Sequence, residues 1–109
     1  MQIHNIQSPD DSVYHEPGFK LMLESHLTYL RQTNVRVETV SEHQSYKYEG
    51  DFYGLIEAVN VIKKFHYITL RVNGYEHSGD YDGIRKLILI PDYKLIEQLK
   101  AVYQTKNTL

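Results

Sequence analysis

The segment Tyr46–Pro91 reads YKYEGDFYGLIEAVNVIKKFHYITLRVNGYEHSGDYDGIRKLILIP, and more of the fold follows from it than from any other part of the chain. A Gly-Asp pair closes a short polar and aromatic stretch, and two stretches with apolar residues at helical spacing come after it. An Asn-Gly pair, a polar loop containing glycine, and an apolar run ending in proline complete the segment. This order predicts a compact β-α-α-β unit.

The first half of this segment predicts a strand followed by a helix. Tyr46–Tyr48 alternates polar and aromatic residues, which is typical of a strand with both tyrosines on one side. Asp51 is placed to cap the next helix, where a carboxylate accepting from free N–H groups contributes about 0.5–2 kcal/mol. Phe52, with aliphatic residues at helical spacing behind it, marks the buried face of that helix, and Asn60 is a helix stop.

The second half predicts another helix and a closing strand. Lys63–Val72 has apolar residues at helical spacing, although its β-branched content leaves a strand over His66–Val72 as the alternative. Asn73-Gly74 accommodates left-handed backbone and ends the element. Leu87–Ile90 is apolar at every position, which predicts a strand covered on both faces, and Pro91 ends it.

The N-terminal flank is expected to contribute an extended arm over residues 1–15 and then one helix over residues 17–31. That helix has a continuous apolar stripe, and Pro17 suits its first turn. Val35–Val40 alternates and is rich in β-branched residues, which predicts a strand with Val35, Val37 and Thr39 on one face. Ser41–Ser45 is polar and is expected to be a loop.

The C-terminal flank is expected to form an amphipathic helix. Asp92 is placed as its cap, and apolar residues recur at helical spacing from Leu95 to Tyr103. Residues 105–109 are expected to fray. The predicted organisation is therefore an N-terminal arm, helix and strand over residues 1–45, a β-α-α-β unit over residues 46–91, and a helix and tail over residues 92–109.

Composition narrows the classes of protein to which the chain can belong. Twelve Lys and Arg residues against fourteen Asp and Glu give a formal net charge of -2, and the charges are interspersed, so no basic surface for nucleic acid is expected. The absence of cysteine excludes disulfides and thiolate metal sites. The first residues lack the features of a secretory signal, and no apolar run is long enough to span a bilayer, so no membrane partner is expected.

The linked order of these features resembles the LysM domain. In that family a strand ends in a Gly-Asp pair, two helices follow, and a turn with glycine leads to a short strand ending in Ile-Pro. The residues of this chain that match the pattern are Tyr46, Tyr48, Gly50-Asp51, Leu70, Asn73-Gly74, Asp82-Gly83, Leu87 and Ile90-Pro91. The chain departs from the family at Phe52, where Thr or Ser is usual. The resemblance implies an α+β fold, with the arm, N-terminal helix and C-terminal helix added to a LysM-like core.

The same block in a small chain with a helical extension is also similar to baseplate wedge proteins of contractile-tailed bacteriophages that carry a LysM-like domain. This resemblance implies a virion structural protein, assembled in the host cytoplasm, whose partners are other baseplate or tail subunits and further copies of itself. The alternative that the LysM resemblance implies is a module that binds the N-acetylglucosamine polymer of peptidoglycan. Neither role requires a cofactor, a metal or enzymatic turnover.

Residues for an interface or ligand site are expected in the loops after the first strand and the second helix. Aromatic side chains there can stack on sugar rings or anchor a protein contact. Phe52 is expected in the core, while exposed rings are expected at Tyr75 and Tyr81. The candidate site residues are Tyr53, Tyr75, Tyr81, His77 and Asp80.

The residues do not indicate a metal site or a catalytic carboxylate pair. The loop Glu76–Gly83 carries oxygen and imidazole groups but lacks the ligand spacing of a calcium loop, so a turn held by Asp side chains is expected. The six histidines form no zinc-binding pair. Glu49, Asp51 and Glu57 could suggest a glycosidase pair, but Asp51 is expected to cap a helix and Glu57 to lie on a helix surface. A binding protein is therefore expected, and not an enzyme.

Overall fold

The computed structural model describes residues 11–106 of the chain. These residues combine helices with one two-stranded antiparallel sheet, which places the chain in the α+β class. In chain order the elements are α1 (Pro17–Ser25), α2 (Leu27–Gln32), β1 (Arg36–Thr39), α3 (Glu42–Lys47), α4 (Phe52–Ala58), α5 (His66–Val72), β2 (Leu87–Ile90) and α6 (Tyr93–Lys106). Single turns of 3-10 helix cover Asp11–His15, Lys63–Phe65 and Ser78–Asp80.

The sheet pairs β1 with β2, and helices α3, α4 and α5 all lie between the two strands along the chain. Arg36 is opposite Ile90, and Thr39 is opposite Leu87. The strands predicted at Val35–Val40 and Leu87–Ile90 are confirmed. The second predicted helix is confirmed as well: His66–Val72, for which a strand was the alternative, is helical.

The predicted strand at Tyr46–Tyr48 and the predicted loop at Ser41–Ser45 are both wrong, because this stretch forms α3. Ser41 and Gln44 make a reciprocal capping box: the Gln44 N–H donates to Ser41 Oγ at 3.0 Å, and the Ser41 N–H donates to Gln44 Oε1 at 3.2 Å. The box satisfies two N–H groups at the start of the helix. The partner of β2 is therefore the earlier strand β1, ten residues upstream of the expected position at Tyr46.

The N-terminal helix is divided at His26. The Met22 carbonyl accepts from Ser25 Oγ at 2.7 Å and lies 2.8 Å from His26 Nδ1, so side chains take the place of the next helical hydrogen bond. The predicted single helix over residues 17–31 is therefore two helices. This change of direction lets α1 pack on α6 while α2 packs on α5.

The predicted extended arm is wrong over its last five residues, since Asp11–His15 forms a 3-10 turn. Val13 and Tyr14 are buried there, and the ring of Tyr14 meets the rings of Phe19 and Phe65 edge-on, with centroids 5.5 and 5.6 Å apart. The rest of the predicted arm, residues 1–10, lies outside the described residues.

The C-terminal helix is confirmed and continues to Lys106, so the predicted fraying at Thr105 and Lys106 is wrong; residues 107–109 lie outside the described range. Thr105 Oγ1 donates to the Ala101 carbonyl at 2.8 Å within the last turns. Leu95 and Ile96 are buried. The start of the helix is held as expected, because the Lys94 N–H donates to Asp92 Oδ1 at 2.9 Å.

Helix α5 is the central element, packing against α2, α4 and β2. Asn73, at its C-terminal end, is buried and joins it to the sheet. Its amide nitrogen donates to the carbonyls of Thr69 at 2.7 Å and Leu89 at 2.8 Å, and its Oδ1 accepts from the Leu89 N–H at 2.8 Å. The Asn73 side chain thus pairs with the outer edge of β2 as a neighbouring strand would.

The two faces of the sheet have different surroundings. Ile88 and Ile90 are buried against the helices, but Leu87 is 57% exposed on the opposite face. The prediction that β2 is covered on both faces is therefore wrong. Val37 is 53% exposed on the same side, so the apolar face predicted for β1 points away from the core.

Replacing Asn73 by alanine should lower the free energy of unfolding by about 2–4 kcal/mol, since the N–H and C=O of Leu89 both lose their partner. Urea unfolding followed by circular dichroism measures the change. Gln98→Ala, at an exposed position of α6, is the matched control and should stay within about 0.5 kcal/mol of the original chain. Equal stabilities for the two variants would contradict the role of Asn73.

Replacing Ser41 by alanine should cost about 1 kcal/mol, because it removes one half of the capping box of α3. Thr28→Ala changes a hydroxyl residue at an exposed position of α2 and should cost nothing. A Ser41→Ala variant as stable as the original chain would show that α3 does not depend on its cap.

Candidate functional site

The two loops expected to form a site do come together. The N–H of Gly50 donates to the Tyr81 carbonyl at 2.8 Å, and the N–H of Tyr53 donates to Ser78 Oγ at 2.9 Å. Gly50 has a φ of 74°, which suits glycine at this reversal. The predicted cap of α4 is confirmed, because Asp51 Oδ1 accepts from the Gly54 N–H at 3.0 Å. The loops thus close directly on each other through backbone donors.

Tyr53 lies half-buried beside this junction. Its ring stacks on the His66 imidazole with centroids 5.6 Å apart, and burial raises the pKa of the Tyr53 hydroxyl. His66 Nε2 lies 2.8 Å from the Val61 carbonyl, so the imidazole is held in place. Tyr53 therefore offers one edge of a fixed ring to the surface.

Tyr75 and Tyr81 pack with Phe52 into one aromatic cluster. The Phe52 centroid is 5.1 Å from that of Tyr75 and 5.8 Å from that of Tyr81. Phe52 is fully buried, as predicted, but Tyr81 is only 1% exposed, and its hydroxyl donates to the Arg85 carbonyl at 2.6 Å. The prediction of an exposed ring at Tyr81 is therefore wrong; burial also raises the pKa of its hydroxyl. Tyr75 is half-buried and covers part of the cluster.

His77 and Asp80 are exposed, and the carboxylate of Asp80 accepts hydrogen bonds from the backbone of its own loop. Asp80 Oδ2 accepts from the N–H groups of His77 at 3.0 Å and Glu76 at 3.2 Å. Asp82 Oδ1 likewise accepts from Ile84 and Arg85, and these backbone hydrogen bonds lower its pKa. The expectation of a turn held by Asp side chains is confirmed. Within residues 11–106, no cluster of three or more acidic or imidazole side chains could hold a metal ion.

A surface that the sequence interpretation missed is the outer face of the sheet, formed by Val37, Thr39, Leu87 and Leu89. Val37 lies opposite Leu89, and Thr39 lies opposite Leu87, so these four side chains share one face. Leu89 is half-buried and the other three are exposed. The alternation in β1 indicated such a face, but the sequence could not show that it points to solvent.

Comparison of the chain with protein-family models, curated proteins and solved structures finds no match. Among the described helices, none has the length and apolar character needed to cross a membrane.

A separate polar cluster joins α1 to α5. Arg71 donates twice to the Glu24 carboxylate, with Nε 2.6 Å from Oε2 and Nη2 2.9 Å from Oε1. The Tyr67 hydroxyl donates to the same carboxylate at 2.7 Å. Hydrogen bonds from Arg71 lower the pKa of Glu24, while burial and the bond to Glu24 raise the pKa of Tyr67 to about 12. The cluster acts as an internal crosslink between two helices.

The low pKa of Glu24 predicts a pH dependence of stability. A carboxyl group whose pKa is lower in the folded chain stabilises the fold above its ordinary pKa of 4.5, and the effect is lost as the pH falls through the lowered value. Glu24→Gln should therefore lower stability at neutral pH and flatten its decline below pH 4.5. Urea unfolding across this pH range measures both effects. Glu57→Gln, which removes an exposed carboxylate on α4, is the matched control for the loss of one charge.

Proposed function

We propose that this chain is a structural protein of a tailed-phage virion, in which a LysM-like domain joins neighbouring subunits of the tail or baseplate. The observation that carries the proposal is the antiparallel pairing of β1 with β2, with α4 and α5 between them along the chain and packed together. A two-stranded ribbon with two short helices between its strands is the arrangement that the LysM resemblance implies.

In this proposal the LysM-like unit begins at Arg36 instead of Tyr46 and ends at Pro91. Helix α3 is then an insertion between the first strand and Gly50-Asp51. The insertion is compatible with the unit because α3 leaves the β1–β2 pairing intact and leads back to the Gly50 turn, whose N–H bonds to Tyr81.

Contacts with neighbouring subunits are supported by large apolar side chains that remain exposed. They lie on the outer face of the sheet, at Val37 and Leu87, and on helices and a loop around it, at Leu21, Tyr29, Tyr46, Ile84 and Val102. Single exposed apolar residues are ordinary, but the outer face of the sheet groups two of them, Val37 and Leu87, beside the half-buried Leu89. Leu21 on α1 and Val102 on α6 would extend the contacts to the flanking helices, as expected for a subunit that binds more than one neighbour.

Protein contact is favoured over glycan binding by the closure of the two loops. A sugar placed between them would compete with the hydrogen bonds of the Gly50 and Tyr53 N–H groups, which are already made. The buried ring of Tyr81 offers no surface for stacking. A catalytic carboxylate pair is disfavoured too, because Asp51 caps α4 and Glu57 is exposed on the helix surface. The proposed mechanism is burial of surface without turnover, in a particle assembled in the host cytoplasm.

Replacing Leu87 by lysine should weaken binding to a neighbouring subunit at least tenfold, because it places a charge on the apolar outer face. The full chain would be co-expressed with each tail protein of the same gene cluster, and the affinity of the co-purifying pair measured by calorimetry. Ile62→Lys is the matched control, since Ile62 is 54% exposed and Leu87 57%, and the same charge is introduced away from the sheet.

Absence of binding to every tail protein of the cluster would contradict the proposal. Sedimentation of the chain with insoluble peptidoglycan, lost in Tyr75→Ala but not in Leu87→Lys, would favour the glycan-binding alternative instead. Binding that Ile62→Lys and Leu87→Lys weaken equally would show that the outer face is not the contact surface.

A further inference from the structure

The two outer edges of the sheet differ in whether their backbone N–H and C=O groups have hydrogen-bond partners. The outer edge of β2 is occupied by side chains: Asn73 pairs with the N–H and C=O of Leu89, and Arg85 Nε donates to the Leu87 carbonyl at 3.0 Å. Among the residues that the structure describes, none covers the outer edge of β1 in this way. Within residues 11–106, no hydrogen bond reaches the backbone of Val37 or Thr39.

The register shows which groups lie on this open edge. The Val40 N–H donates to the Lys86 carbonyl at 2.9 Å, continuing the pairing in which Arg36 faces Ile90 and Glu38 faces Ile88. In an antiparallel pair, hydrogen-bonded and non-bonded positions alternate. Arg36 and Glu38 therefore bond towards β2, and the N–H and C=O groups of Val37 and Thr39 point outwards, free to pair with another strand.

We propose that β1 pairs with β1 of a second copy of this chain, antiparallel and across a two-fold axis at Val37, to form a continuous four-stranded sheet. In this pairing the two Val37 residues exchange both of their backbone hydrogen bonds. Antiparallel pairing of one strand with itself satisfies two-fold symmetry, so the contact closes as a dimer and does not propagate. The inference is independent of whether the chain belongs to a virion.

Charge favours this register over the two symmetric registers centred on the neighbouring residues, Arg36 and Glu38. With the axis at Val37, Arg36 of each copy lies opposite Glu38 of the other, so two ion pairs form. An axis at Arg36 would place the two arginines face to face, and an axis at Glu38 would do the same with the two glutamates, which is unfavourable. The side chains of Arg36 and Glu38 are 60% and 37% exposed, and their own contact is long at 3.7 Å, so both can turn to a partner.

The pairing also extends the apolar outer face across the axis. Val37 of one copy lies beside Val37 of the other, and the Leu89 side chains flank them in the adjoining strands. A contact of four residues per copy is smaller than the roughly 800 Å² per partner of a standard stable interface. The dimer should therefore be weak and depend on protein concentration.

Exchange of the two charges tests the register directly. Arg36→Glu and Glu38→Arg should each weaken self-association on the order of tenfold or more, because each replaces two attractive cross-strand pairs with two repulsive ones. Mixing the two variants should restore association as a mixed dimer, and the double variant should restore it in one chain. Sedimentation equilibrium of the full chain, with a mass tag on one variant, measures all four states.

The mixture also controls for folding. A variant that does not self-associate but does associate with the other variant must still be folded. A chain that stays monomeric at every concentration would overturn the proposal. Single variants that associate as well as the original chain would also overturn it, as would a mixture that remains monomeric.

A second measurement uses the absence of cysteine in the chain. Val37→Cys places two thiols opposite each other, with α-carbons about 5.5 Å apart as in other hydrogen-bonded antiparallel pairs. A short bifunctional maleimide should crosslink this variant at least tenfold faster than Val102→Cys, a matched exposed valine on α6. Equal rates for the two variants would contradict pairing at β1.

Discussion

The fold depends most on the side chain of Asn73, which acts as a short strand beside β2. A two-stranded ribbon is marginal in water, and its outer edges leave N–H and C=O groups without partners. Asn73 supplies a donor and an acceptor to Leu89 at 2.8 Å each, and it bonds back to the Thr69 carbonyl of its own helix. One buried amide therefore fixes α5 against the sheet and closes one of the sheet's edges.

Three arginines complete this junction by binding carbonyl groups around the end of α5. Arg31 donates to the carbonyls of Val72 and Arg71, Arg71 donates to that of Tyr75, and Arg85 donates to that of Asn73. The last carbonyls of a helix have no partner within it, and a positive charge there is favourable. The guanidinium groups thus connect α2, α5 and the loop before β2, which explains how a chain with short elements holds them together.

The sequence predicted well those features that depend on local chemistry. The cap at Asp51, the strand before Pro91 and the helix stop at Asn60, where φ is 71°, all follow from residue types with strong backbone preferences. It failed where two patterns compete. Two alternating tyrosines suggested a strand at Tyr46, but the Ser41–Gln44 capping box, which was readable as a helix start, determines the structure there.

The candidate site was harder to predict because tyrosine is compatible with both core and surface. Nothing in the residue type distinguishes Tyr75, half-buried, from Tyr81, whose ring is enclosed and whose hydroxyl finds the Arg85 carbonyl. The direction in which the apolar face of β1 points could not be predicted, for a related reason. Its apolar residues alternate with Arg36 and Glu38, yet only the pairing with Ile88 and Ile90 determines which side meets the helices.

The charges of β1 bear on how the open edge is controlled. Natural sheets often carry charged residues on an edge strand, which discourages pairing with an arbitrary strand. Two charges of one sign would also repel a second copy in the symmetric registers centred on residues 36, 37 and 38. Arg36 and Glu38 have opposite signs, so two of the symmetric registers are repulsive while the register at Val37 is attractive. The same two residues therefore oppose non-specific pairing and permit one specific pairing, which is how a repulsive element contributes to specificity.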